Sequence, residues 1–162
     1  HHVILMNNHQ RERFAKNIIK TLYSTVSGKT ITFLGWAFKK DTNDTRESAA
    51  IYVADSLMDE QATIKVYDPK VNATQMQSDL NYLNTRSESE NNKYLKIEND
   101  PYTAMEGAHG IAVLTEWDEF KTYDWKRIYK NMQKPAFVFD GRNVLDRQIL
   151  EKIGFVYKGI GS

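Results

Sequence analysis

There is no cysteine anywhere in the 162 residues. That excludes a disulfide framework, a thiolate metal site and a cysteine nucleophile within this chain. An excess of one charge is missing too: 22 Lys and Arg stand against 21 Asp and Glu, and a net charge of +1 exerts no long-range pull on nucleic acid or a membrane surface. No run of about 18 apolar residues is available to span a bilayer. No signal-peptide pattern is present either, so a cytoplasmic setting is expected. His1 and His2 read as the remnant of a purification tag, and His9 and His109 have no partner at ligand spacing, so no metal is expected. Glycine is sparse where it would matter most. The stretch GWAFKKDTNDTRES, residues 35 to 48, has one glycine where a dinucleotide-binding loop has three.

What is present is alternation. Residues 7 to 26 predict a long helix with Phe14, Ile18, Leu22 and Val26 on one face and Ala15, Ile19 and Tyr23 beside them. KTITFLGWAF then has the β-branched and aromatic content of a buried strand. Asp44 and Glu47, three apart, read as a capping box for the helix that carries Ala50, Val53, Ala54, Leu57 and Met58. TIKVYDP is a second strand, stopped by Asp68 and Pro69. The polar region 71 to 93 predicts a short helix and then a surface loop. YLKIEND follows as a short strand, and Asp100 and Pro101 cap and start a helix over PYTAMEGA. GIAVLTEW and AFVFDGRN are strands around a helix with Trp125, Ile128, Tyr129 and Met132 inward. A last helix turns Leu145, Ile149, Leu150 and Ile153 to one side, and FVYKGIG closes the chain as an edge strand. The expected fold class is therefore α/β: a doubly wound, mainly parallel, Rossmann-like sheet preceded by a long N-terminal helix.

Such sheets bind ligands beyond the carboxyl ends of their strands, which directs attention to 35 to 48, 68 to 70, 115 to 118 and 140 to 143. A loop with one glycine must hold an anion through side chains. Arg46 is expected in the first turn of its helix, where a guanidinium can fork onto phosphate beside a helix N-terminus. An ion pair with Asp41 or Asp44 is the competing reading. Arg142, after a glycine at a strand end, has the same two readings: a diphosphate contact or a turn pairing with Asp140. Lys39 and Lys40 read first as solvated amines. Asp68 invites comparison with a ribose-binding acid, yet Asp-Pro after a strand more often serves a turn. Glu116 and Asp118 carry no sign of desolvation that would make them an acid–base pair.

GWAFKKDTNDTRES, YDPKV, DPYTAMEGAHGIAVLTEWDEF and FDGRNVLD, in this order, resemble the C-terminal domain of the UDP-glucose 6-dehydrogenases, within the nucleotide-sugar dehydrogenase superfamily. KKDTNDTRES followed by TEWDEF looks more like the UDP-glucose branch than the GDP-mannose or UDP-N-acetylmannosamine branches. The resemblance implies residues 3 to 26 as the end of a central interdomain helix at a dimer interface, and 27 to 162 as a UDP-sugar-binding domain. It implies an N-terminal NAD-binding domain absent from this sequence, and a homo-oligomer. The family oxidises UDP-glucose to UDP-glucuronate with two NAD, through a covalent intermediate on a cysteine. This chain has none, so alone it is expected to be inactive. Carried over by position, Phe38, Lys39 and Arg142 match UDP-sugar contacts, Lys39 nearest the reacting sugar, where its charge would position substrate and stabilise developing negative charge. Arg46 matches the arginine that reaches NAD across the interdomain cleft. Trp36 and Asn43 fall at variable family positions, and Asn143 replaces a second basic residue seen in some members. Two other classes compete: a non-catalytic nucleotide-diphosphate-binding module, and an oligomerisation α/β module whose clusters are internal ion pairs.

Overall fold

A computed structural model describes residues 6–159, so the tag reading of His1 and His2 lies outside the described residues. Six strands form one sheet: β1 Thr30–Leu34, β2 Thr63–Tyr67, β3 Leu95–Ile97, β4 Gly110–Val113, β5 Phe137–Asp140 and β6 Val156–Gly159. The helices are α1 Asn8–Thr21, α2 Ala49–Asp59, α3 Ala73–Leu83, α4 Glu88–Tyr94, α5 Pro101–Met105, α6 Trp125–Lys130 and α7 Arg147–Ile153. The strand order is β3-β2-β1-β4-β5-β6, and every pairing is parallel. Parallel neighbours require crossovers, so the helices cover both faces and the central strands are buried on both sides. Ile31, Phe33, Leu34, Ile111, Ala112, Val113 and Val138 are fully or almost fully enclosed. This is the doubly wound arrangement that the alternation predicts. The chain leaves β1 toward β2 and β3, then returns to place β4 on the other side of β1, which makes the gap between β1 and β4 the topological switch point.

Helix α1 starts at a capping box in which Asn7 accepts from the backbone of Gln10 and the Gln10 side chain accepts from Asn7. It is shorter than its apolar periodicity predicts. Tyr23 and Ser24 take left-handed conformations (φ 64° each), and the Lys29 ammonium donates to the carbonyls of Leu22 and Thr25, closing the turn. Leu22 and Val26 stay buried beyond the helix end, but Tyr23 turns outward, 72% exposed.

Three other elements depart from expectation. Helix α2 is capped by Ser48, not Asp44, because Glu47 sits at φ 62° and the chain cannot be helical through it. Residues 71 to 93 form two helices, α3 and α4, held by few buried side chains, Met76, Leu80 and Asn91 among them. Arg86 fastens this pair to α2 through Asp55 and Asn91. Ile149 faces outward, 56% exposed, while Leu150 fills the inward position.

At the amino edge of the sheet, His109 extends the β1–β4 ladder: its N–H donates to Thr30 O and its Nδ1 accepts the Thr30 N–H at 3.1 Å. Burial first, then the nearby Lys29 charge, pushes the His109 imidazole below its usual value of 6.5. A group depressed on folding stabilises the folded state above its unfolded pKa and loses that contribution as pH falls through the folded value. Melting temperature is therefore expected to fall as pH drops below about 6.5, and His109→Asn is expected to flatten that part of the profile. A profile of unchanged slope in the variant would contradict this role.

Candidate functional site

The carboxyl ends of β1, β2, β4 and β5 converge, and their loops are tied together by side chains rather than by a glycine-rich turn. Gly35, at φ 101°, donates its N–H to Tyr67 O. A Cβ on it would lie 2.3 Å from Thr115 Oγ1, so the loop after β1 presses directly on the start of the loop after β4. Thr115 Oγ1 then donates to Ala37 O at 2.8 Å. Ser48 Oγ donates to Trp36 O at 2.7 Å while capping α2. Trp36 is fully buried, and its indole N–H reaches Asp79 of α3 at 3.0 Å. The polar region 71 to 93 thus supports the loop through Asp79.

Two aspartates at strand ends organise these loops. Asp68 Oδ2 accepts from Trp36 N, Ala37 N and Trp117 Nε1, and its Oδ1 accepts from Lys70 N and Val71 N. A carboxylate engaged in this way has its acceptor positions filled by protein donors. Asp68 therefore shapes the turn and is not displayed to a ribose. Asp140, wholly buried, does the equivalent after β5: Oδ1 accepts from Arg142 N and Val144 N, and Oδ2 from Leu145 N and the Tyr157 hydroxyl. Burial, followed by the Asp140 charge and hydrogen bond, pushes that tyrosine well above its ordinary pKa of 10.

Arg142 lies where the loops meet. Its side chain is 5% exposed, with Nη1 donating to Phe38 O and Leu114 O, both at 3.3 Å, and Nη2 paired with Glu116 Oε2 at 2.9 Å. Burial pushes the guanidinium below its usual range, and the Glu116 charge pulls it back. Arg142 thus pairs with Glu116 in addition to bonding its backbone N–H to Asp140. Asn143 beside it takes φ 59°, a conformation asparagine tolerates. Phe38 is half-buried, and Lys39 next to it is exposed, with no hydrogen bond or ion pair of its ammonium among the described residues. Lys40 turns its ammonium to Asp118 at 3.5 Å and gives its N–H to Glu116 Oε1 at 3.2 Å.

Arg46 is not in the first turn of a helix. It lies in the loop before α2, its side chain 88% exposed, and forks onto both oxygens of Asp44, Nη2 to Oδ2 at 2.9 Å and Nε to Oδ1 at 3.1 Å. That pairing holds the Asp44 carboxyl down to about 2, chiefly through the Arg46 side chain and then its backbone N–H. Phe38, Lys39 and Arg142 are thus brought together over the switch point, and Arg46 stands at the rim. Glu116 and Asp118 are ion-pair partners rather than a matched acid and base. The arrangement does not fit a complete dinucleotide site, because the β1 loop is filled by Thr115 and the β2-end acid is occupied. It fits an anion approached by side-chain cations. Among the described residues there is no cluster of metal-ligating side chains and no helix long and apolar enough to cross a membrane.

The pattern of the UDP-glucose/GDP-mannose dehydrogenase family, UDP binding domain, matches residues 32–147, which include Phe38, Lys39, Arg46, Asp68, Glu116 and Arg142. The chain is 50% identical over 162 residues to UDP-glucose 6-dehydrogenase of Rattus norvegicus, covering 99% of this chain and 33% of that protein. It is 48% identical over 161 residues to UDP-glucose 6-dehydrogenase of Drosophila melanogaster, covering 99% and 34% respectively. The chain thus spans about a third of the length of the curated relatives it matches. Among solved structures, a UDP-D-ManNAc dehydrogenase from Pyrococcus horikoshii superposes with a TM-score of 0.68 at 25% identity, over 93% of this chain and 30% of that one. A UDP-glucose dehydrogenase from Pyrobaculum islandicum shares the fold, with a TM-score of 0.68 at 24% identity over 94% of this chain and 30% of its own.

Proposed function

This chain belongs to the UDP-glucose/GDP-mannose dehydrogenase family as its UDP-binding domain, and we propose that it is the C-terminal third of a UDP-glucose 6-dehydrogenase that oxidises UDP-glucose to UDP-glucuronate. The observation that carries this reading is the meeting of Arg142, Lys39 and the Phe38 backbone at the β1–β4 switch point, where doubly wound sheets take their ligands. Bound there, a UDP-sugar presents a diphosphate to a planar guanidinium already fixed in orientation, and a sugar to an exposed ammonium. Lys39 then holds the reacting end of the sugar and stabilises negative charge that develops on its oxygens. NAD is the oxidant by this reading and accepts the hydrides. It is bound by the part of the enzyme outside this chain, with Arg46 the residue of this chain that reaches toward it. The nucleophilic cysteine belongs to that outside part too, since none is present here.

The test is NADH absorbance produced by the full-length enzyme given NAD and UDP-glucose, UDP-N-acetylmannosamine or GDP-mannose. The expected result is two NADH per UDP-glucose with little turnover of the other sugars. No reduction with any of the three by a folded full-length protein would refute the reading.

Two substitutions separate the two ligands. Lys39→Ala is expected to lower kcat/KM for UDP-glucose roughly 10- to 100-fold, the scale of one charge-assisted hydrogen bond, with the KM for NAD little changed. Arg46→Ala is expected to raise the KM for NAD severalfold and leave that for UDP-glucose within about twofold, since its tie to Asp44 is exposed and contributes little to folding. Steady-state kinetics with each substrate varied in turn checks both, and the reverse pattern would contradict the assignment.

A further inference from the structure

The Arg142 guanidinium does not hold its own position. Its partner Glu116 is only 17% exposed and uses both carboxylate oxygens: Oε2 takes Arg142 Nη2 at 2.9 Å, and Oε1 takes the Lys40 N–H at 3.2 Å. Arg142 Nη1 in turn takes Phe38 O at 3.3 Å. The ion pair therefore grips the backbone on both sides of Lys39, by the carbonyl before it and the N–H after it. Lys39 itself is exposed, and among the described residues no hydrogen bond or ion pair of its ammonium orients it. Three segments that are remote in sequence meet through one carboxylate: the loop after β1, the loop after β4 that carries Glu116, and the loop after β5 that carries Arg142.

Resting on the UDP-sugar reading of this site, we propose that Glu116 is its positioning residue, setting through its two oxygens the orientation of Arg142 and the placement of Lys39 as one unit. It touches no substrate. Its oxygens face protein donors, and Lys40 Nζ is directed to Asp118. A carboxylate that fixes a first layer of ligand contacts changes substrate affinity without contributing a bond to the substrate.

The test uses the full-length enzyme, with UDP-glucose and NAD varied separately, for Glu116→Gln, Glu116→Ala, Arg142→Ala and the double variant Glu116→Ala/Arg142→Ala. Glutamine keeps an acceptor for the Lys40 N–H and removes the charge from Arg142, so it is the milder change and guards against a variant that fails to fold. The expected results are a KM for UDP-glucose raised about tenfold in Glu116→Gln and more in Glu116→Ala, with the KM for NAD within about twofold. The double variant is expected to fall well short of the product of the two single effects, because much of what Glu116 does passes through Arg142. A general loss of structure would instead raise both KM values together. Unchanged KM for UDP-glucose in Glu116→Gln, or multiplicative effects in the double variant, would overturn the positioning role while Arg142→Ala still reports on the site. An unaltered KM in Arg142→Ala, or no turnover of UDP-glucose by the wild-type enzyme, would overturn the UDP-sugar reading and this proposal with it.

Discussion

Asp68→Ala is expected to cost about 3–5 kcal/mol of folding stability. The reason is the number of donors that the carboxylate serves. Oδ2 receives Trp36 N at 2.7 Å, Ala37 N at 2.9 Å and the Trp117 indole N–H at 3.2 Å, while Oδ1 receives Lys70 N and Val71 N. Trp36 and Ala37 are fully buried and Trp117 nearly so, so alanine leaves their N–H groups without an acceptor and with little access to water. Each orphaned buried donor costs about 1–3 kcal/mol, partly relieved if a water enters. Asp68→Asn keeps one acceptor oxygen and places an amide against the remaining donors, so an intermediate loss is expected. Thermal melting of this chain by circular dichroism reads the result: a drop of roughly 10 °C for alanine supports the clamp. A drop under about 2 °C would show that the loop after β1 does not depend on Asp68.

Arg142→Ala is expected to lower kcat/KM for UDP-glucose by roughly 100-fold or more in the full-length enzyme, and to destabilise the domain as well. Both effects follow from one buried guanidinium. Burial lowers the Arg142 pKa and Glu116 opposes it; a buried pair of this kind fixes geometry more than it supplies stability. Removing the arginine alone leaves Glu116 as an uncompensated, largely buried charge, at a cost of about 3–5 kcal/mol. It also frees the Phe38 and Leu114 carbonyls that Arg142 gathers. Arg142→Lys retains the charge, but a single ammonium cannot fork onto Glu116 and two carbonyls in one plane, so partial recovery of stability with little recovery of kcat/KM is expected. Melting curves and steady-state kinetics on the same samples separate the two effects. A variant that loses stability yet keeps wild-type kcat/KM would restrict Arg142 to a structural role.

The fold was legible because its information is local. Short apolar runs such as TITFL and GIAV, rich in β-branched residues and bounded by glycines or turns, read as strands buried on both faces, and Asp100 with Pro101 marks a helix start by chemistry confined to two residues. What the sequence hides is backbone conformation chosen by tertiary contacts. Glu47 at φ 62° moves the cap of α2 from Asp44 to Ser48, and left-handed Tyr23 and Ser24 end α1 while its apolar period continues. None of these three residue types advertises that conformation. Helices α3 and α4 present few buried residues, so their periodicity is faint. Sequence reasoning pointed to four strand ends, and the structure ties the loops after β1, β4 and β5 together there. Arg142 carries out its pairing with Glu116 across 26 residues, a contact that no local pattern encodes. The signal for Asp68 and Asp140 was present in a weaker form: each is an aspartate at a strand end before a turn, and each accepts with its Oδ1 from two backbone N–H groups that follow.

The most direct test of the account is hydrogen–deuterium exchange of the full-length enzyme with and without UDP-glucose. If the nucleotide sugar binds where the loops after β1, β4 and β5 meet, peptides spanning residues 35–46, 114–118 and 140–145 will be protected together, and those at the amino edge around His109 will exchange as before. Protection absent from all three segments, in a protein that binds UDP-glucose, would contradict it.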